Sequence, residues 1–245
     1  MSWHIRGVRS TAPAGRCALI GVQPLPSADE LREATRVVEA FRSAHRIPMI
    51  SARMGLRSCI HTEGLAVVEL TQRLKRMPTV VDKLRRLPTM KLSSLQDLGG
   101  CRAVFATQAE VARAQQRFMA NSRRRNGTED KVRDYVARPR DSGYRALHLW
   151  TRYRGLRIEV QLRTQLQHRW AANVEDLSAL TGIDYKSGEG PEEVHAWLRL
   201  LSQSYEYAEA GVRPGGRFEL ELADANAAAL SRIVRGAIRQ EGNHG

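Results

Sequence analysis

Ten residues, Gly155–Thr164 (GLRIEVQLRT), carry the pattern most suggestive of chemistry. Read at a spacing of two, Ile158, Val160 and Leu162 fall on one face, and Arg157, Glu159, Gln161 and Arg163 on the other. That alternation belongs to a strand with one packed and one wetted side. A carboxylate and an amide between guanidiniums suit a metal ion and phosphate oxygens better than solubility alone. A solvated edge strand would explain this stretch if it stood by itself.

It has company in three other stretches. Arg73-x-Lys75…Lys83 brings cationic side chains to one helical face or its approach. Asp97-x-x-Gly-x-Arg102 sets a carboxylate at the mouth of a strand and an arginine just inside it. Asp134-Tyr135…Pro139-Arg140-Asp141-Ser142-Gly143-Tyr144-Arg145…His148 is a basic loop hinged on glycine that runs into a strand. Two carboxylates from different strands, Asp97 and Glu159, can share Mg²⁺, which prefers oxygen ligands and the company of substrate phosphates. Lysines and arginines around them can neutralise a phosphoryl group in transfer, and a tyrosine on a glycine loop can stack on a base. Taken singly, each has a structural explanation: Asp97 as a turn or N-cap residue, Tyr144 as a half-buried strand aromatic, His148 as a satisfied core histidine, Lys75 and Lys83 as a solvated helix face.

The elements that must position these residues alternate between helix and strand, which implies an α/β domain with a mixed sheet flanked by helices. Residues 1–26 read as irregular. A capping box at Ser27–Glu30 opens a helix to about His45, closed by Pro48. A second helix is expected over 56–76, carrying Arg73 and Lys75, and a short one from Pro78 through Arg86. A buried strand follows at 100–106, then a helix from the capping box Thr107–Glu110 to about Ala120, and a basic turn or loop at 122–127. Strands are expected at 131–136, 144–154 and 156–163. A helix from Thr164 to about Leu180 ends at Gly182. An acidic helix over 189–209, a short strand at 218–222 and an alanine-rich helix over 224–240 complete the chain. This divides it into an N-terminal segment (1–60), a core (61–186) and an acidic helical extension (187–245). Neither GxxxxGK[ST] nor GxGxxG occurs, so a nucleoside triphosphate would be bound by another route.

The formal net charge of +13 over 245 residues is unevenly spread: residues 31–170 carry +17 and residues 171–245 carry −5. A basic body points to an anionic partner, nucleotide phosphates or RNA, with Arg123, Arg124 and Arg125 the obvious RNA contact. Only five of the 39 basic residues are lysine (Lys75, Lys83, Lys91, Lys131, Lys186). No stretch has the apolar length of a membrane span, and the first residues lack the apolar core of a signal peptide. Three scattered cysteines favour a reducing, cytoplasmic setting over a disulfide framework or a zinc site.

In their order and spacing, RLKRMPTVVDKL, DLGGCRAV, DYVARPRDSGYRALH and EVQLRTQLQHRWA resemble the synthetase domain of the RelA/SpoT family, across Arg73 to Ala171. The resemblance implies a nucleotidyltransferase-like fold and a small, synthetase-only member; no His-Asp dipeptide of the hydrolase half occurs. It implies that Arg73 and Arg102 sandwich the adenine of ATP, Lys75 and Lys83 hold its phosphates, and Asp97 and Glu159 bind Mg²⁺. Glu159 would also help take the proton of an acceptor 3′-OH attacking the β-phosphorus, with AMP leaving. Tyr144 would stack on the acceptor base, while Gln161, His148, Arg140 and Arg145 steady phosphates and ribose. Two departures stand out: Pro-Arg140 replaces the usual Pro-Lys, and Glu175-Asp176 replaces the usual Glu-His.

The implied activity is pyrophosphate transfer from ATP to GDP or GTP, making alarmones of the (p)ppGpp type. The same chemistry on the 3′ end of tRNA, or on adenosine nucleotides, is the alternative; a toxin of that kind would bring a neutralising antitoxin as partner. A non-catalytic RNA-binding module fares worst, having no physical need of both carboxylates. The acidic extension is expected to pack on the domain, to form a homo-oligomer interface, or to lie over the basic surface and restrain it.

Overall fold

The computed structural model describes residues 27–127 and 130–241, so the irregular segment expected over 1–26 lies outside it. Helix α1 (Ala28–Ala44) opens on the expected capping box: the Ser27 hydroxyl accepts from the Glu30 N–H at 3.2 Å, and the Glu30 carboxylate accepts from the Ser27 N–H at 2.7 Å. Pro48 does not close this segment. It lies in the first turn of α2 (Arg46–Thr62), where a missing N–H costs no hydrogen bond.

Helix α2 stops at Thr62, and Val67–Leu74 is strand β1 instead of the second half of a helix. The misreading has a physical origin. Val67, Leu70 and Leu74 all pack against the core and are spaced by three and four, as on a helix. A bulge between Val67 and Glu69 permits this spacing on a strand. Lys75 therefore leaves the end of a strand, not a helical face.

Helix α3 (Met77–Arg86) holds Pro78 in its first turn, as expected, and a single 3-10 turn (Leu92–Ser94) leads to β2 (Gly99–Phe105). Helix α4 (Gln108–Asn126) begins at the Thr107 capping box and ends on Gly127 at φ 66. Arg123–Arg125 are its last turn and not a loop; cations there face the negative end of the helix dipole. Strands β3 (Lys131–Asp134), β4 (Leu147–Tyr153) and β5 (Leu156–Thr164) precede α5 (Gln165–Thr181), which is capped by Thr164 and ended by Gly182 at φ 71. Helices α6 (Glu192–Ala210) and α7 (Gly216–Glu241) complete the order. The strand expected at 218–222 is part of α7: Phe218 meets Tyr207 of α6 at 5.2 Å between ring centroids, while Leu220 is 70% exposed. No helix among the described residues is long and apolar enough to cross a membrane.

The five strands lie in the order β1-β2-β5-β4-β3. The central pair β2–β5 is parallel and the others are antiparallel. Cys101, Ala103, Phe105, Leu147, Leu149, Ile158, Val160 and Leu162 turn to one face, where α2 and α4 bury them in the main core. The opposite face is polar. Over it, α5, α6 and α7 gather a second apolar cluster around Trp170, Tyr185 and Leu198, with the Trp170 indole donating to the Leu198 carbonyl at 2.8 Å. A third cluster, from Val38 of α1 and Val80 of α3 to Leu92, Leu95 and Leu98, supports the turn that carries Asp97.

Candidate active site

Glu159 sits in mid-β5 on the polar face, opposite Gly100 of β2 and Trp150 of β4. Its carboxylate accepts from His148 Nδ1 at 2.8 Å and from Gln161 Nε2 at 2.9 Å. Because an ionised carboxylate only accepts, the His148 proton is assigned to Nδ1, leaving Nε2 to accept from the Tyr144 hydroxyl at 2.7 Å. Arg163 donates to the Tyr144 oxygen at 2.6 Å and to Gln161 Oε1 at 2.9 Å. The five side chains thus close a ring of hydrogen bonds. Burial pushes the Glu159 carboxyl up, but the bonds from His148 and Gln161 outweigh it and hold the group below the ordinary glutamate value, against a smaller opposing push from Asp97.

Asp97 faces this ring from the approach to β2. Its Oδ2 accepts from Lys75 and Lys83, each at 2.9 Å, while Oδ1 is buried with no partner. Burial here too would raise the pKa, and the two ammonium groups overcome it. Gly100 leaves the needed room: a β-carbon there would lie 3.2 Å from the Glu159 carbonyl oxygen. Two carboxylates, one with an unused buried oxygen, beside two lysines fit Mg²⁺ that takes its remaining ligands from substrate phosphates and water.

The other expected residues divide. Arg73 is exposed on β1 opposite Gly100, and Arg102 lies on the same sheet face, held by Glu69 at 2.9 Å. Arg140 lies over the Tyr135 ring at 4.5 Å, and Arg145 is paired with Glu206 of α6. Tyr144 is only 9% exposed and packs edge-on against Trp170 and Tyr135, so it offers no free face to a base in this conformation. His148, 5% exposed with both nitrogens engaged, serves the ring and does not reach out to a phosphate. The basic run Arg123–Arg125 is exposed throughout, and Arg125 also lies 3.8 Å over the Tyr153 ring.

Sequence reasoning missed Glu69 and His168, which approach each other to 3.4 Å and brace Arg102, because Glu69 fell in a segment read as helix. It also missed Lys186, paired with Glu175 near Arg73 and Arg163; its rarity as a lysine was the available signal.

The loop carrying Tyr144 is pinned to α6. Gly143 has φ +88, and a β-carbon there would lie 3.1 Å from the Leu198 carbonyl and from the Arg199 Cα. Ser202 donates to the Gly143 carbonyl at 2.5 Å. Gly143→Ala is expected to cost about 2 kcal/mol, lowering the melting temperature by roughly 4–8 °C in a calorimetric scan. An unchanged melting temperature would mean that the loop is not so held.

Comparison with known proteins matches residues 72–188 to the region found in RelA and SpoT proteins. An uncharacterised protein of Mycobacterium tuberculosis is 33% identical over 129 residues, covering 52% of this chain and 45% of that protein. The GTP pyrophosphokinase YjbM of Bacillus subtilis is 28% identical over 146 residues, covering 55% of this chain and 65% of its own. The chain therefore spans less than two thirds of either relative. The crystal structure of small alarmone synthetase 1 from Bacillus subtilis superposes with a TM-score of 0.57 at 22% identity, covering 71% of this chain and 92% of that one, which shows a shared fold. The four motif-bearing stretches, from Arg73 to Ala171, all fall within residues 72–188, the part of this chain that matches the region found in RelA and SpoT proteins.

Proposed function

We propose that the chain is a pyrophosphokinase that transfers the β,γ-pyrophosphate of ATP to the 3′-OH of GDP or GTP. The observation that carries this reading is the Asp97 carboxylate, held by Lys75 and Lys83 just ahead of β2 and near enough to Glu159 on the adjoining β5 to oppose its ionisation. Related proteins support it: YjbM is named a GTP pyrophosphokinase, and the Bacillus subtilis small alarmone synthetase 1 has been crystallised with its product pppGpp.

In this reading Arg73 and Arg102 hold the adenine, with Glu69 fixing the Arg102 plane, and Lys75 and Lys83 turn from Asp97 to the ATP phosphates. Asp97 and Glu159 hold Mg²⁺, which supplies charge neutralisation on the phosphoryl oxygens. The acceptor 3′-oxygen forms the new bond to the β-phosphorus as the bond from that phosphorus to the α,β-bridging oxygen breaks, releasing AMP. A carboxylate held below its ordinary pKa is ionised at neutral pH but is a weak base. Glu159 therefore contributes more by orienting the 3′-OH than by the driving force of proton removal. Gln161, Arg163 and His148 keep its oxygens aimed.

The test incubates the protein and Mg²⁺ with γ-labelled ATP and, in parallel, GDP, GTP, AMP, ADP or deacylated tRNA. Labelled guanosine nucleotide is the expected product. Label only on tRNA or on an adenosine nucleotide would replace the acceptor, and no label from folded protein would remove the reaction.

A further inference from the structure

We infer that the chain has a second binding site where α5 meets the helical extension, an apolar cavity that takes the alkyl chain of a free fatty acid and holds its carboxylate at the rim. The cavity has a volume of about 530 Å³ and, among the described residues, is lined chiefly by Leu180, Ile183, Tyr185, Val194, Ile233 and Val234. Neither Asp97 nor Glu159 lines it. Its floor is firmly held. Tyr185 opens a 3-10 turn (Tyr185–Ser187), is 1% exposed, and meets His195 edge-on at 5.9 Å between ring centroids. Gly190, at φ +107, lets the chain pass close to that ring, since a β-carbon there would lie 2.7 Å from Tyr185 Cε1. The rim, by contrast, leaves apolar surface in water: Leu180 is 79% and Val234 55% exposed. A concave, largely apolar space of this size with a few polar groups at its edge is the form of a small-molecule pocket.

The polar groups at the edge decide the class of ligand. Thr181 is engaged within the chain, its hydroxyl donating to the Leu177 carbonyl at 2.8 Å. Arg232 and Arg235, three residues apart on α7, also line the cavity. Arg235 gives only its Nε–H, to the Ser231 carbonyl at 3.1 Å, and Arg232 has no ion pair or side-chain hydrogen bond among the described residues. No described carboxylate lines the cavity. Nearby, Asp184 is paired with Arg86 and Glu192 with Arg199. Two guanidiniums therefore stand unneutralised beside apolar walls, in a segment (171–245) whose net charge is −5. A guanidinium offers a carboxylate paired N–H donors, and an alkyl chain gains by leaving water for the cavity. A fatty acid supplies both groups. A nucleotide would have to set its polar base and ribose against leucine, isoleucine and valine.

The experiment titrates the full chain calorimetrically at pH 7 with octanoate, decanoate and decyltrimethylammonium. It compares wild type with the double variant Arg232→Ala/Arg235→Ala and with Val234→Trp, which fills the mouth of the cavity from an exposed position. Wild type should bind decanoate about tenfold more tightly than octanoate, the gain of two buried methylenes, and at least tenfold more tightly than the cationic amphiphile. The double variant should bind both decyl compounds alike. Val234→Trp should lose decanoate by tenfold or more with its melting temperature unchanged. Equal affinity of wild type for the two headgroups, decanoate affinity unmoved by either variant, or no heat from folded wild type overturns the site. Co-sedimentation with phosphatidylglycerol vesicles that decanoate does not reverse would assign the surface to a membrane and overturn it too. So would a dimer in sedimentation equilibrium that Val234→Trp dissolves and decanoate leaves intact, because a second copy would then fill the cavity.

Discussion

Glu159→Gln should leave a folded protein whose turnover in the labelled assay falls by about a thousandfold or more, the scale expected when a group that both aligns a nucleophile and stabilises charge is lost. The substitution keeps volume and removes one charge. Its amide also turns a donor towards either His148 Nδ1–H or Gln161 Nε2–H, where the carboxylate had accepted from both. An unmade bond of this kind in a buried site costs about 1–3 kcal/mol, so a drop in melting temperature of several degrees should accompany the loss. Unchanged turnover would exclude Glu159 from the chemistry. Unchanged stability would show that the ring closes without it.

Asp97→Ala should reverse the metal dependence of ATP binding. In the wild type one carboxylate oxygen occupies both Lys75 and Lys83, whose side chains are 21% and 29% exposed. ATP without metal must displace that carboxylate and approach its charge. With alanine the two ammonium groups are free and repel each other, so a triphosphate gains an unopposed partner. In EDTA, the variant should bind ATP about tenfold more tightly than wild type. With Mg²⁺ the order should invert, since the variant lacks one of two carboxylates for the cation. The variant should also be less stable without ligand, by about 2 kcal/mol, below the roughly 3–5 kcal/mol of a fully buried pair because these side chains keep part of their solvent contact. Calorimetric binding with and without metal decides the matter. Weaker binding under both conditions, in a protein still folded by circular dichroism, would take the lysines out of the ATP site.

The sequence showed the β5 pattern plainly because its alternation is unbroken: Ile158, Val160 and Leu162 are all fully buried. The capping boxes at Ser27 and Thr107 were equally readable, since a cap depends on residues within one turn. Strand β1 was hidden by its bulge, which gave Val67, Leu70 and Leu74 helical spacing. The hydrogen-bonded ring was not legible either. Its closure depends on Tyr144, His148, Gln161 and Arg163 turning to the same sheet face, and only the pairing of His148 with Gln161 fixes that. Glu206 escaped notice because its link to Arg145 joins a helix to a distant loop.

The parallel β2–β5 pairing also bears on when the site can exist. All of α4, β3 and β4 lies between the two strands, so Asp97 and Glu159 come from opposite ends of the longest chain closure in the sheet. Such non-local pairings form late, because the entropy of closing the loop is lost before the contact rewards it. A nascent chain that has emerged only as far as α4 holds Lys75, Lys83 and Asp97 together but lacks Glu159. Synthesis therefore yields a charged, silent half-site first, and the pair of carboxylates is completed only when β5 docks between its two neighbours.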